Sequence, residues 1–178
     1  SNSLRLQAME IRGSMHTYWR GYDKARDEYD QALRYAQEND DRAGEARVLM
    51  DLGLLNYELH ECEEARECYQ QSLTIARDLG DRSIEGRSLG ALGLLNHAVG
   101  EYDEAREYVQ QSLTIARNLD DRASEAMALM NLGVVAREAG EYDEAREYLQ
   151  QSLTIARNLG DRAGEALMLQ QLGQLNYA

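Results

Sequence analysis

Residues 101–118, EYDEAREYVQQSLTIARN, return forty positions later as residues 141–158, EYDEAREYLQQSLTIARN, with one change, Val109 to Leu149. Residues 61–78, ECEEARECYQQSLTIARD, are a third copy, and GYDKARDEYDQALRYAQE from Gly21 is a more distant fourth. A fixed period of this length is the signature of a repeat array. Within one copy Tyr102, Ala105, Val109, Leu113 and Ala116 are spaced by three and four, which places them on one buried helical stripe. Leu89, Leu92, Gly93 and Asn96 repeat that spacing in the stretch before it. Each period therefore holds two helices. The spacing predicts nine, at about 4–19, 22–38, 42–59, 62–78, 82–98, 102–118, 122–138, 142–158 and 162–177.

The boundaries recur in register. Asp41, Asp81, Asp121 and Asp161 each precede an Arg, where a short acidic side chain can cap the free N–H groups of a new helix. Gly100 and Gly140 stand where the chain must reverse, a left-handed position that suits Gly, whereas His60 at the matching turn departs from the pattern. Gly13, Gly53, Gly93, Gly133 and Gly173 lie inside the first helix of each pair, each at a cost of about 1 kcal/mol relative to Ala. Such a repeated cost calls for a packing reason. Ala25, Ala65, Ala105 and Ala145 follow twelve residues after the first four glycines, so Gly facing Ala would bring paired helices close.

Composition bounds the partners. The 178 residues carry 19 basic and 32 acidic side chains, a net charge of −13, with no Pro and no Phe. That much acid repels phosphate-rich partners and argues against nucleic acid and anionic membranes. The absence of Pro leaves long helices unbroken. No run of about 18 apolar residues suggests a membrane span, and no basic-then-apolar leader is present. Ser1, Asn2 and Ser3 read as the remnant of an expression tag. Cys62 and Cys68 are six apart on one expected helix, a rise of about 9 Å, beyond the reach of a disulfide. Reduced thiols fit the cytoplasm.

The pattern Leu129-x-x-Leu132-Gly133 followed by Ala145 and Leu149 carries a family likeness, with equivalents Leu89, Leu92, Gly93, Ala105, Val109 and Leu49, Leu52, Gly53, Ala65, Tyr69. It resembles the tetratricopeptide repeat, in a long form of 40 residues rather than the usual 34, and without the Pro that commonly follows the second helix. It is most similar to the branch that includes kinesin light chains, Leu-Gly-Asn spindle adaptors and the sensor arms of bacterial signalling ATPases. The resemblance covers nearly the whole chain. It implies an all-α, right-handed alpha-alpha superhelix, a single solenoid domain over residues 1–178. Its units would be about 4–38, 42–78, 82–118 and 122–158, with a half unit at 162–178, and its first helices would line a concave groove.

The copies differ unevenly. Residues 101–138 and 141–178 differ at 12 of 38 positions, nine of them between 127–138 and 167–178. Variation thus gathers in the first helices, as in a binding solenoid with a fixed frame and a diversified inner wall. Offsets from each Gly, read through the resemblance, assign the groove to Arg47, Met50, Leu54, Tyr57, Arg87, Leu94, His97, Met127, Met130, Val134 and Arg137, with Glu10, Ser14, Gln170, Gln174 and Tyr177 among the end-copy equivalents. An apolar floor with Arg, Tyr and His suits an extended peptide or partner helix with apolar anchors and an acidic group. The Lys and Asn clamp that some tetratricopeptide proteins use for a terminal carboxylate is absent: Glu10, Ser14, Met50 and Leu54 stand there.

Chemistry is otherwise sparse. His60, Cys62, Cys68, Glu63 and Glu64 superficially suggest a metal site, but Cys62 replaces Tyr22, Tyr102 and Tyr142, and Cys68 replaces Tyr108 and Tyr148, so both read as packing residues. His16 and His97 lack a nucleophile companion, and no phosphate-binding glycine loop is present. Acid such as Glu101, Asp103, Glu104 and Glu107 recurs at second-helix starts, where it complements the helix dipole. The expectation is a non-enzymatic protein-interaction scaffold with no metal and no cofactor, its partner a protein or peptide segment. The alternatives are a sensor or oligomerising arm of a larger signalling ATPase or transcription regulator, and a consensus-like repeat without an evolved ligand. The open end at Leu169 and Leu172, with the 148–153 side of the preceding helix, predicts self-association through the C-terminal end.

Overall fold

A computed structural model describes residues 2–175. Among them are nine α-helices and no strand: α1 Asn2–Tyr18, α2 Tyr22–Glu38, α3 Arg42–Glu58, α4 Cys62–Leu79, α5 Arg82–Ala98, α6 Tyr102–Asn118, α7 Arg122–Glu138, α8 Tyr142–Leu159 and α9 Arg162–Leu175. The expected end of the last helix, including Tyr177, lies outside the described residues.

The turns follow one rule. At every junction a single residue takes the left-handed conformation: Gly80, Gly100, Gly140 and Gly160 do so, and so do Arg20, Asp40, His60 and Asp120, with φ between 53° and 62°. The next residue returns its N–H to the carbonyl five positions back, as Glu61 to Asn56 at 2.9 Å and Asp161 to Ala156 at 2.9 Å. That bond closes the helix end in the manner of a Schellman cap. His60 therefore departs from the pattern only in sequence; its backbone at φ 62° is that of the glycine turns. Each first helix after such a turn is capped by its Asp. Asp41, Asp81, Asp121 and Asp161 accept the N–H three residues on at 2.8, 3.0, 3.0 and 2.9 Å.

The chain groups into two compact units, Ser1–Ala91 and Leu92–Ala178. In the first, Leu6 and Met9 of α1, Ala25, Tyr29, Ala32 and Ala36 of α2, and Val48, Leu52 and Leu55 of α3 form one core. Ala46, Leu49, Ile75, Ala76 and Ile84 form a second. In the other unit Val109 and Leu113 pack with Ala128, Leu129, Leu132 and Ile155, while Ala136, Ala145, Leu149 and Leu153 pack with Met168 and Leu175.

The helix glycines admit large side chains rather than alanine methyls. A Cβ on Gly53 would lie 2.4 Å from Tyr69 Cε1, and one on Gly13 equally close to Tyr29. At Gly93 and Gly133 the obstacles are Val109 and Leu149, and the expected alanines contribute their carbonyl oxygens, Ala105 and Ala145 each at 3.2 Å. So the close approach expected from Gly and Ala is present, but the residue four beyond each Ala fills most of the space. Gly173 has nothing within 4 Å of its Cβ position.

Two polar devices tie neighbouring helices. Glu45, Glu85 and Glu125, each under 10% exposed, receive the Arg at the helix start, Arg42, Arg82 or Arg122. Each also receives a donor from the end of the preceding helix: Gln37 at 3.0 Å, Arg77 at 3.2 Å and Arg117 at 3.0 Å respectively. On the second helices Arg26 pairs with Glu61, and Arg106 with Glu141 and Glu144. Inside the pairs, Ser72 and Ser152 donate to the carbonyls of Ala46 and Ala126 at 2.8 and 2.7 Å, which satisfies hydroxyls that burial would otherwise penalise.

Candidate functional site

The first-helix faces of the two units place the expected binding residues differently. In the first unit Arg47, Met50, Leu54 and Tyr57, spaced by three and four, share one face of α3. Leu54 is 48% exposed and Tyr57 half-buried. Met50 is 8% exposed, its sulfur 3.2 Å from Ser88 Oγ of α5, so it joins α3 to α5 rather than standing free. Arg47 donates through Nε to Glu10 Oε1 of α1 at 3.2 Å. Arg87 is exposed on α5.

Sequence reading missed the carboxylate among them. Burial pushes Asp51 of α3 up to about 6, and the charge of Glu10 adds to the effect while Arg87 and Arg47 oppose it. Burial also raises Glu10, with Arg47 pulling the other way. The surface is therefore a mixed set of two acids and two arginines, not a pair of free cations. The available signal was that copies of this position read Ile11, Ala91, Asn131 and Gln171, so that Asp51 alone carries charge there.

In the second unit Leu94 of α5 is 39% exposed and Met127 of α7 62% exposed, while Met130 and Val134 are half-buried. Arg137 is engaged: Nη1 donates to Gln171 Oε1 at 2.5 Å and Gln174 Oε1 at 2.6 Å, and Nη2 to Glu138 at 2.7 Å. His97 is half-buried, its ring 5.7 Å from that of Tyr102 at the start of α6, with Nε2 buried and unpartnered. Its side chain thus belongs to the α5–α6 contact more than to an open surface.

Cys62 and Cys68 are free thiols, both half-buried. Cys68 packs against the first core and accepts from Asn56 Nδ2 at 3.7 Å, and burial pushes its thiol up to about 11. A thiol so protonated is a packing group rather than a nucleophile at neutral pH. At the C-terminal end Leu167 and Leu169 are 40% and 48% exposed, whereas Leu172 is half-buried and Leu149 and Leu153 are buried at 1% and 7%. The 148–153 side expected to lie open is therefore closed. No described helix is long and apolar enough to cross a membrane.

Solved structures share this fold. BtubC (BKLC) from P. vanneervenii aligns with a TM-score of 0.86 at 21% identity, over 97% of this chain and 74% of that one. A Rap protein complexed with Competence and Sporulation Factor aligns at 0.84 and 18% identity, over 98% and 49%. A signal transduction ATPase with numerous domains and a tetratricopeptide repeat sensor, from Pyrococcus horikoshii, aligns at 0.83 and 16%, over 97% and 27%. The chain thus spans about half the length of the Rap protein and about a quarter of the ATPase. No curated protein sequence matches it. The family model for the tetratricopeptide repeat matches residues 7–78, 57–118, 84–158 and 124–178, and the chain belongs to that family.

Proposed function

We propose that the chain is a non-enzymatic interaction scaffold that holds a peptide or partner segment against its first-helix faces. The observation that carries this reading is the exposure of Leu54, Leu94 and Met127 at 48%, 39% and 62% on those faces, beside polar groups able to orient a ligand. The diversification of the same helices over near-identical second helices agrees with it. The proposed contact surface is Arg47, Leu54, Tyr57 and Arg87 in one unit and Leu94, Met127, Met130, Val134 and Arg137 in the other, with Met50 and His97 packed behind it. Because Arg47 and Arg137 already have acceptors, Arg87 is the group that would meet an acidic side chain in the ligand. The Rap protein of the same fold, solved in complex with Competence and Sporulation Factor, supports a scaffold that holds a partner.

A peptide-display selection tests this. Selected peptides should carry apolar anchors and lose at least tenfold in affinity to Leu54→Asp and to Met127→Asp, and should be indifferent to Gln110→Ala on the second-helix surface. Equal affinity for Leu54→Asp, Met127→Asp and the parent would remove these faces from consideration. A selection that yields nothing would favour a repeat without an evolved ligand.

The likeness to a sensor of a signalling ATPase supports a second reading, in which the scaffold is the sensor or oligomerising arm of a larger protein. The free thiols fit a reducing compartment such as the cytoplasm. Self-association through the C-terminal end draws support from exposed Leu167 and Leu169 and from the open space at Gly173.

A further inference from the structure

Charge is not spread evenly over the first helices. The residues six, three and two positions before each helix glycine make fifteen positions, and only four of them are charged: Glu10 of α1, Arg47 and Asp51 of α3, and Arg87 of α5. All four lie in the first unit, Ser1–Ala91. The matching positions on α7 are Met127, Met130 and Asn131, and those on α9 are Leu167, Gln170 and Gln171. Both helices form without charge there, so the repeat does not need the ionic set.

Two of the four charges satisfy each other, and two do not. Arg47 Nε donates to Glu10 Oε1 at 3.2 Å, from the offset of six on one helix to the offset of three on the helix before it. By the same rule Arg87 should find its acceptor at position 50, but Met50 stands there, its sulfur 3.2 Å from Ser88 Oγ. Arg87 is exposed and makes no ion pair among the described residues. The carboxylate is one residue further on. Asp51 is half-buried and feels the charges of Arg87 and Arg47, yet it has no hydrogen bond or ion pair among the described residues. The contact between Met50 and Ser88 holds the turns that carry Asp51 and Arg87 side by side. A partly buried carboxylate without donors costs stability. A cost that the fold does not require is characteristic of a functional position.

We infer that Asp51 is the acceptor for a basic side chain of the bound peptide segment, which carries a Lys or Arg for Asp51 and, within about three positions of extended chain, an acid for Arg87. The assignment rests on the first-helix faces being the contact surface proposed above, and it names the ligand chemistry they select. An ammonium or guanidinium supplies the donors that Asp51 lacks. Complementarity decides between occupants. Glu10, Arg47 and Asp51 together carry −1, so a purely acidic segment would be repelled there and would leave Asp51 bare. A purely basic segment would meet Arg87 with like charge. The spacing follows from neighbouring helix axes about 8–10 Å apart, set against a rise of roughly 3.3 Å per extended residue.

Selection from a displayed random-peptide library, run in parallel on the parent, Asp51→Asn and Arg87→Gln chains, tests the assignment. Parent binders should be enriched in Lys or Arg close to an acid. Asp51→Asn should remove the preference for the basic residue and keep that for the acid, and Arg87→Gln should do the reverse. For a single parent binder, Asp51→Asn and replacement of the peptide's basic residue by Ala should each weaken binding roughly tenfold or more, and the two together no more than either alone. Asp51→Asn should keep full helicity while it loses affinity, which separates contact with the ligand from a structural role. Binders that depend on Leu54 but show no basic preference, or whose two losses add, would overturn the role of Asp51 and leave the contact surface standing. A library that yields no binder, or only binders indifferent to Leu54→Asp and Met127→Asp, would overturn the contact surface and the role of Asp51 with it.

Discussion

Two aspartates of the same chain respond to pH with opposite signs. Asp51 is raised from 3.8 to about 6 by burial. Between those values the folded chain binds a proton that the unfolded chain has released, so stability falls as pH rises and the full penalty is present above about 6. Asp51→Asn should therefore stabilise the protein at pH 7 by up to about 3 kcal/mol and bring no gain below pH 4; denaturant titrations at the two pH values check this. Asp121 is lowered by hydrogen bonds from the Ser124 N–H and hydroxyl, so its contribution is present at neutral pH and is lost as pH falls through its folded value. His60 shows backbone strain of another kind. An L-residue at φ 62° carries a left-handed cost that glycine avoids. His60→Gly should raise stability by up to about 1 kcal/mol, read as a shift in melting temperature, and a loss would mean that the imidazole makes a compensating contact.

At the scale of elements, one substitution at equivalent positions separates packing from propensity. Gly53→Ala puts a methyl 2.4 Å from a Tyr69 ring that is 3% exposed, so α3 and α4 must separate. The expected cost is about 1–3 kcal/mol. Gly173→Ala meets open space on α9, and the better helix former should stabilise by up to about 1 kcal/mol. Paired chemical melts decide it, and equal effects at both sites would refute a packing role for the helix glycines. The helices, their Asp caps and the close pairs were legible because each is written within one period, by spacing and by capping chemistry. The Glu85 staple was not, because its donors Arg77 and Arg82 come from both sides of a turn, and no helical period links them. The same holds for the candidate site. Positions on a face can be read from offsets, but Met50 turning to Ser88, Arg47 to Glu10 and His97 to Tyr102 depend on neighbouring helices.

For the whole molecule, nearest-neighbour packing makes local stability uneven. In an array where each helix is held by its sequence neighbours, an element with one neighbour opens before those with two. The last described helix, α9, keeps Leu167 and Leu169 exposed and packs on α8, with a lesser contact to α7. Helices α3 and α8 each pack on elements before and after them. Amide hydrogen exchange should accordingly be fastest in α9 and slowest in the buried turns of α3 and α8.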